Sequence, residues 1–455
     1  METSQRKLHF ILYSNLNKWD AKFYLTNETI FNPKFNQVLF GNFLSKASIE
    51  KVKIEDEKKY KILGVRSYGK GVYLNRESLG KDLKMKEYYK AKPNHLFWCK
   101  VDTKNGAFGV VNDKLSDGFG SSNMTFAEID TDKINVDFLQ LLFTSKKIHS
   151  YLDSFVTGTT NRKYIRPDQL LEEIHIPLPT LQEQQEIIDA YFAKINEANQ
   201  LAIEANNIDQ EIEQYLFTEL GLSKNVEIQK TSKLLRTISF NKIDRWAIDY
   251  LSKYSKLNFL DSGKYNLIKL KEVIESYQYG LSEKASKEDL GLPILRMNNI
   301  NNAELRLNDI KYLKDDISFE KFILNKKDLL FNRTNSKELV GKTAIFNESG
   351  KYTFASYLIR VKIDKSKADV RYINELFNSS ILQIQKDMVS RQITGQANIN
   401  AQEMQDFLFP IPPLDIQVKI AIDTEKYRIS KNQKLKLSES LKEQANQEFE
   451  QTIFN

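Results

Sequence analysis

Two segments of the chain, IPLPTLQEQQEII (176–188) and FPIPPLDIQVKIA (409–421), are versions of one another. Setting Pro177 on Pro410 places Leu178 on Ile411, Pro179 on Pro412, Leu181 on Leu414 and Gln184 on Gln417, an offset of 233. The correspondence continues upstream. HLFWCKVDTKNGAFGVV (95–111) matches LLFNRTNSKELVGKTAIF (329–346), with Trp98 on Phe331, Lys100 on Arg333 and, one residue out of step, Gly109 on Gly341. KILGVRSYG matches LPILRMNNI with Arg66 on Arg296, and NKWDAKFY matches DRWAIDYL with Trp19 on Trp246. Four pairings in one order indicate a tandem duplication. Each half is a globular module of about 160 to 180 residues followed by a helix.

Within a module, short β-branched and aromatic runs such as YTFASYLIRVKI alternate with turn signals such as YGKG and NESG. DKINVDFLQLLFTSKKIHSYLDSF and ADVRYINELFNSSILQIQKDM carry helical periodicity, so an α+β module is expected. The Pro-x-Pro segment then leaves as a stiff extended strap, because each proline disfavours helical geometry in the residue before it. Thr180 and Glu183 form a capping-box pattern, and Gly221 suits a helix C-cap, which predicts a helix from Leu181 to Leu220. Its apolar stripe runs through Ile188, Tyr191, Ile195, Ala198, Ala202, Ala205, Ile208, Ile212 and Tyr215. The second stripe, Ile420, Tyr427, Leu437, Leu441, Ala445 and Phe449, is more polar. Its ending EQTIF aligns with EQYLF at an offset of 237, which predicts four extra residues, about one turn. Two such stripes can cover each other as an antiparallel coiled coil, with the modules related by a pseudo-two-fold. The expected domains are 1–175, 176–222 (helical), 223–240 (linker), 241–409 and 410–455 (helical).

Chemistry-bearing motifs fail on inspection. VGKTA resembles a phosphate loop, but G-x-x-x-x-G-K-T needs glycine where the chain has Ser336. PDQLLEE lacks the lysine that a nuclease motif places after its acids, and IPPL has isoleucine where an adenine-methylating element needs a polar residue. The single cysteine, Cys99, excludes an internal disulfide, and the four histidines are scattered, so neither catalytic residues nor a metal set is expected. There is no 18-residue apolar run and the N-terminal apolar stretch is short for a signal peptide, which suggests a cytoplasmic protein without membrane attachment. A net charge of +7 suits an anionic partner.

What the loops do offer is Arg, Lys, Asn and Gln beside tyrosines. In the first half these are Arg66, Lys70, Arg76, Arg162, Lys163 and Arg166, and in the second Arg296, Asn298, Asn299, Arg333, Asn335, Arg391, Gln392, Gln396 and Asn398. Such side chains pair with base edges and clamp phosphates in double-stranded DNA. They equally fit ordinary solvated loops.

The order module, IPLP-x-L-x-EQ helix, module, PIPPL-x-x-Q helix resembles the specificity subunit of type I restriction-modification systems, as do GVRSYGKGV and RQITGQANIN. Asp415-Ile416 departs from the acidic residue that the family pattern favours before the glutamine. The resemblance implies two target-recognition domains reading a bipartite DNA site, and helices acting as spacer and as docking surface for two methyltransferase subunits. Leu181, Gln184, Ile188, Ile195, Ile212, Leu414, Gln417 and Leu441 are the candidates for that helical surface. Restriction and translocase subunits would join, and S-adenosylmethionine, ATP and magnesium would sit on those partners, leaving this chain non-catalytic and without a cofactor. The competing reading is a structural coiled-coil tether, or a non-specific DNA-binding adaptor of another DNA-modifying enzyme.

Overall fold

A computed structural model describes residues 30–99, 106–155, 165–223, 246, 255–288, 291–301, 303–314, 319–393 and 395–454. The chain is α+β and divides into two compact units, residues 1–202 with 436–455, and residues 203–435. Trp19 and nearly all of the expected linker lie outside the described residues.

In the first unit the strands are β1 (Gln37–Leu39), β2 (Leu44–Lys46), β3 (Lys51–Lys53), β4 (Lys59–Val65), β5 (Val72–Leu79), β6 (Glu87–Lys90), β7 (His95–Cys99), β8 (Phe108–Val110), β9 (Phe119–Gly120) and β10 (Met124–Ile129). Helices α1 (Val136–Leu142), α2 (Lys146–Phe155) and α3 (Pro167–Glu173) follow, then β11 (His175–Pro177) and the helix α4 (Leu181–Leu220), whose first part belongs here. A four-stranded antiparallel sheet runs β2-β10-β7-β8. Strand β7 is covered on both faces, in keeping with its continuous apolar run LFW. Trp98 packs with Phe108, Phe143 and the helices, while Phe97, one residue away on the opposite face, packs with Leu63 and Phe126. The phenyl rings of Phe108 and Phe143 stack at 4.6 Å. A second sheet, β3-β6-β9-β4-β5, carries the long β4–β5 hairpin, and β1 pairs with β11.

The second unit contains the rest of α4 and β12 (Leu267–Lys269), β13 (Ile274–Tyr279), β14 (Pro293–Leu295), β15 (Ile300–Asn301), β16 (Glu304–Leu305), β17 (Lys311–Tyr312), β18 (Asp328–Asn332), β19 (Thr334–Asn335), β20 (Thr343–Phe346), β21 (Thr353–Phe354) and β22 (Leu358–Ile363). Then come α5 (Val370–Asn378), α6 (Ser380–Val389), β23 (Arg391–Ile393), β24 (Gln396–Asn398), α7 (Ala401–Gln405), β25 (Leu408–Pro410) and α8 (Leu414–Ile453), whose last part returns to the first unit. Its main sheet, β13-β22-β18-β20, repeats β2-β10-β7-β8, and β12 pairs with β25 as β1 does with β11. Trp98 and Phe331 occupy equivalent buried positions on the central strands. The strands between these repeated elements differ, forming β17-β14-β21, β15-β16 and β19-β24-β23.

The strap is fixed by one buried amide in each unit. Gln184 is fully buried; its Nε2 donates to the Pro179 carbonyl at 2.8 Å and its Oε1 accepts from the Asn135 backbone N–H at 2.7 Å. Gln417 repeats this, donating to Pro412 at 2.8 Å and accepting from Asp369 N–H at 2.9 Å. The helix begins as the capping pattern predicts, with Glu183 accepting from the Thr180 N–H at 3.0 Å, and ends at Gly221, φ 68°.

Within the first unit Ser438 Oγ donates to the Ala198 carbonyl at 2.7 Å, a contact that small residues on both helices allow, and Lys194 pairs with Glu448. Within the second unit Lys434 pairs with Glu204, Lys431 with Asp209 and Lys419 with Glu219. In each unit α4 and α8 therefore run antiparallel.

Several expectations are corrected. Both long helices are 40 residues, so α8 carries no extra turn; the offset endings reflect Phe217 lying inside its helix and Phe454 just past its own. Leu437 is exposed, and Ser438 takes its place in the seam. The counterpart of Gly341 is Gly106 rather than Gly109, since both have positive φ two residues before the β8 or β20 strand. Each compact unit takes part of both long helices.

The second unit adds a buried ion pair: Arg428 on α8 is bidentate to Glu375 on α5, at 2.9 Å to Oε1 and 2.6 Å to Oε2. The corresponding first-copy residues are Leu141 and Ile195. Removing one partner strands the other charge, so Arg428→Ile should cost about 3–5 kcal/mol in urea unfolding. Adding Glu375→Leu, which installs the first copy's apolar pair, should restore stability to within about 1 kcal/mol.

Candidate nucleic-acid interface

In the first unit, Arg66 follows β4 directly and is exposed, its guanidinium 4.8 Å above the Tyr73 ring. Lys70 is exposed in the same turn, and Arg76 is exposed on β5 at the rim of a cleft of about 250 Å³ lined also by Tyr73, Asn75, Cys99 and Ser121. Arg166 is exposed at the start of α3. Arg162 and Lys163 lie outside the described residues.

In the second unit, the fold gathers Arg333 and Asn398 from positions 65 residues apart. Arg333 follows β18, and its guanidinium lies 5.0 Å over the Tyr279 ring, with Nη2 3.4 Å from Asn398 Oδ1. Asn398 Nδ2 donates in turn to Thr334 Oγ1 at 3.0 Å, joining β24 to β19. Stacking on an aromatic ring holds a guanidinium plane while leaving edge N–H groups for an acceptor pair such as guanine O6 and N7. Gln396 is exposed on β24, two residues before Asn398, and Asn298 is exposed in the turn after Arg296. Arg391 and Gln392 are described as the backbone of β23, paired with β24.

Other candidates are engaged internally. Arg296 Nη2 donates to both the backbone carbonyl and Oδ2 of Asp309 at 2.9 Å, and Lys287, followed by Arg296, holds the Asp309 carboxyl below its ordinary value. Asn299 and Asn335 are buried; Asn299 Nδ2 donates to the Arg306 carbonyl and Asn335 Oδ1 accepts from Ser336 N–H. Among the helix candidates, Gln184 and Gln417 are the internal pins, and Ile188 and Ile212 are buried, so none of these four is a surface for a partner. Leu181 and Leu414 are exposed, and Ile195 and Leu441 half-buried. Sequence reasoning missed Tyr279 and Tyr357, exposed aromatics of the second unit; Tyr279 frames Arg333, and Tyr357 accepts from the Arg333 backbone N–H through its carbonyl. The SYQYG stretch, an aromatic alternation ending in glycine, is the signal for Tyr279.

The VGKTA segment is structural. Lys342 Nζ donates to the Asn378 carbonyl at 3.0 Å, and Thr343 is fully buried. Lys386, wholly buried, donates to the Phe377 carbonyl at 2.5 Å and packs against Gly341. Burial, with the nearby Lys342 charge, pushes the Lys386 ammonium well below its ordinary value, against opposing pulls from Asp387 and Glu213. The folded state therefore binds fewer protons than the unfolded chain between the lowered pKa and ~10.4. This contribution is complete above that upper value and lost as pH falls through the folded value, rising by up to about 1.4 kcal/mol per pH unit between them. Lys386→Met should flatten that slope and raise the urea midpoint at pH 7 more than at pH 9.5.

Residues 262–439 match the family profile for the type I restriction modification DNA specificity domain. Over 159 residues, 33% of this chain and 36% of the relative, the sequence is 28% identical to the putative type I restriction enzyme MjaX specificity subunit of Methanocaldococcus jannaschii. Over 282 residues, 61% of this chain, it is 23% identical to the type I restriction enzyme EcoKI specificity subunit of Escherichia coli. That alignment spans 55% of the Escherichia coli protein, so the matched stretches cover between about a third and about half of these curated relatives. A chain in a solved structure described as the structural basis underlying complex assembly and conformational transition of the type I R-M system shares the fold. The TM-score is 0.57 at 13% identity, over 93% of this chain and 97% of that one. Among the described residues no helix is long and apolar enough to cross a membrane.

Proposed function

From its kinship with type I restriction-modification specificity subunits, we propose that this chain is the DNA-reading subunit of such a system, directing a methyltransferase and restriction complex to a two-part target. The observation that carries the reading is the duplicated framework. The same four-stranded sheet, strap pin and long helix occur in both units, while the loops and small sheets they support differ. A repeated scaffold with divergent Arg- and Asn-bearing loops suits two recognition events on different sequences.

In this proposal each unit is a target-recognition domain, and α4 and α8 form an antiparallel coiled coil that spaces the two and offers docking surface to two methyltransferase subunits. Restriction and translocase subunits complete the assembly. S-adenosylmethionine, ATP and magnesium belong to those subunits, and this chain, acting in the cytoplasm, performs no catalysis. Its contribution to the reaction is selection of the DNA on which the partners act.

Methylation mapping of DNA exposed to this chain and its methyltransferase partner tests the reading. A bipartite motif with a constant spacer is expected; methylation without sequence preference would refute it. Arg66→Ala and Arg333→Ala should each cost about 1–3 kcal/mol of binding. Each should relax base preference in one part of the motif only, whereas a uniform loss across sequences would identify a phosphate contact.

A further inference from the structure

We propose that Tyr68 is a specificity-determining DNA contact of the first unit and that Gln140 is the residue that positions it, an inference that rests on the DNA-reading function above. The turn joining β4 to β5 places Tyr68, Gly69 and Gly71 at φ of 62°, 62° and 81°. Gly69 has no alternative, since a Cβ there would lie 2.0 Å from the Phe143 carbonyl oxygen. Tyr68 is different. Glycine would adopt its conformation freely, whereas a bulky side chain at positive φ is strained, and such strain concentrates where function demands a particular side chain. Tyr68 is 56% exposed, with its ring centroid 5.7 Å from that of His149. Arg66 and Lys70, both exposed, flank it in the turn. An exposed aromatic that shares a turn with two exposed cations matches a DNA groove, where cations meet phosphates and a ring meets base edges or a base step.

The turn is held rigidly. Arg66 N–H donates to the Gly71 carbonyl at 3.0 Å and Gly69 N–H to that of Gly106 at 2.8 Å. Gln140, on α1, donates through Nε2 to the Gly69 carbonyl at 2.6 Å and accepts at Oε1 from Val110 N–H at 2.9 Å. The second unit repeats the device. Asn374, on α5, donates to the carbonyl of Ala303, φ 68°, at 3.0 Å and accepts from Thr343 Oγ1 at 2.8 Å. Ala303 is buried and presents no ring. The amide pin thus belongs to the shared framework, and an exposed tyrosine on the turn that it holds is particular to the first unit.

The test presents the full-length chain, assembled with its methyltransferase partner, with a random-sequence duplex pool and sequences the retained DNA, beside thermal melting of each variant. Tyr68→Gly should melt no lower than wild type and yet flatten base preference at least tenfold in one part of the enriched motif, leaving the other part intact. Gln140→Leu, which removes no side chain from the exposed tip, should weaken preference in that same part. Unchanged enrichment by Tyr68→Gly would overturn the assignment of Tyr68, and equal flattening of both parts by Gln140→Leu would overturn a positioning role. Failure of the wild-type complex to enrich any two-part motif would instead remove the DNA-reading function on which the inference stands.

Discussion

The buried glutamine amide at the start of each long helix is the interaction on which the rest of each unit depends. Each Pro-x-Pro strap has one N–H between its prolines, on Leu178 or Ile411, and it is spent on the backbone carbonyl of Asn36 or Asn266 at 2.9 Å, so the turn from strap into helix needs a side-chain tie. Gln184 and Gln417 supply what is missing, each donating to the strap carbonyl and accepting from the backbone that opens α1 or α5. An amide makes both bonds at once in a fixed plane, so the direction of the helix is set against the sheet-and-helix core from its first turn. Losing either bond inside such a buried site leaves a polar group without water to replace its partner.

That fixed start lets two chemically different regions hang from one scaffold. Around the central strands β7 and β18 the cores are apolar and closed, with Trp98 and Phe331 at their centres. In the second unit the region that differs is built from short strands and turns, and its order comes from side-chain ties such as Arg296 to Asp309 and Asn398 to Thr334. Short strands gain little from ladder pairing alone. Changing these loops therefore leaves the apolar cores and the strap pins untouched.

What could be read from sequence was local or repeated. The capping pattern at Thr180 and Glu183, the terminal Gly221 and the forty-residue helices are decided by neighbouring residues, and the duplicated strap announced itself by its spacing. The fate of individual loop side chains was not local. Arg66 and Arg296 align, yet one lies exposed over Tyr73 while the other is bound to Asp309, thirteen residues on. Asn335 reads as a polar loop residue and is buried, and Gln184 and Gln417 read as surface and are pins, because segments distant in sequence close over them. The order of two- and three-residue strands in the divergent sheets had no periodicity to reveal it.

The ion pairs between the long helices carry an implication for ancestry. Along its 40 residues α4 holds nine carboxylates and a single cation, Lys194, whereas α8 balances seven acids with seven bases. The basic residues Lys419, Lys431 and Lys434 of α8 each meet an acid of α4 within the second unit. A freshly duplicated gene would have encoded two helices with identical charge, each equally fit to mate with its own kind. Divergence has since made them polarised mates: two copies of α4 brought together would set acid against acid with little to neutralise them, and the repulsion would be strongest in dilute salt. The present charges thus favour pairing of the two unlike helices over pairing of α4 with a second copy of itself.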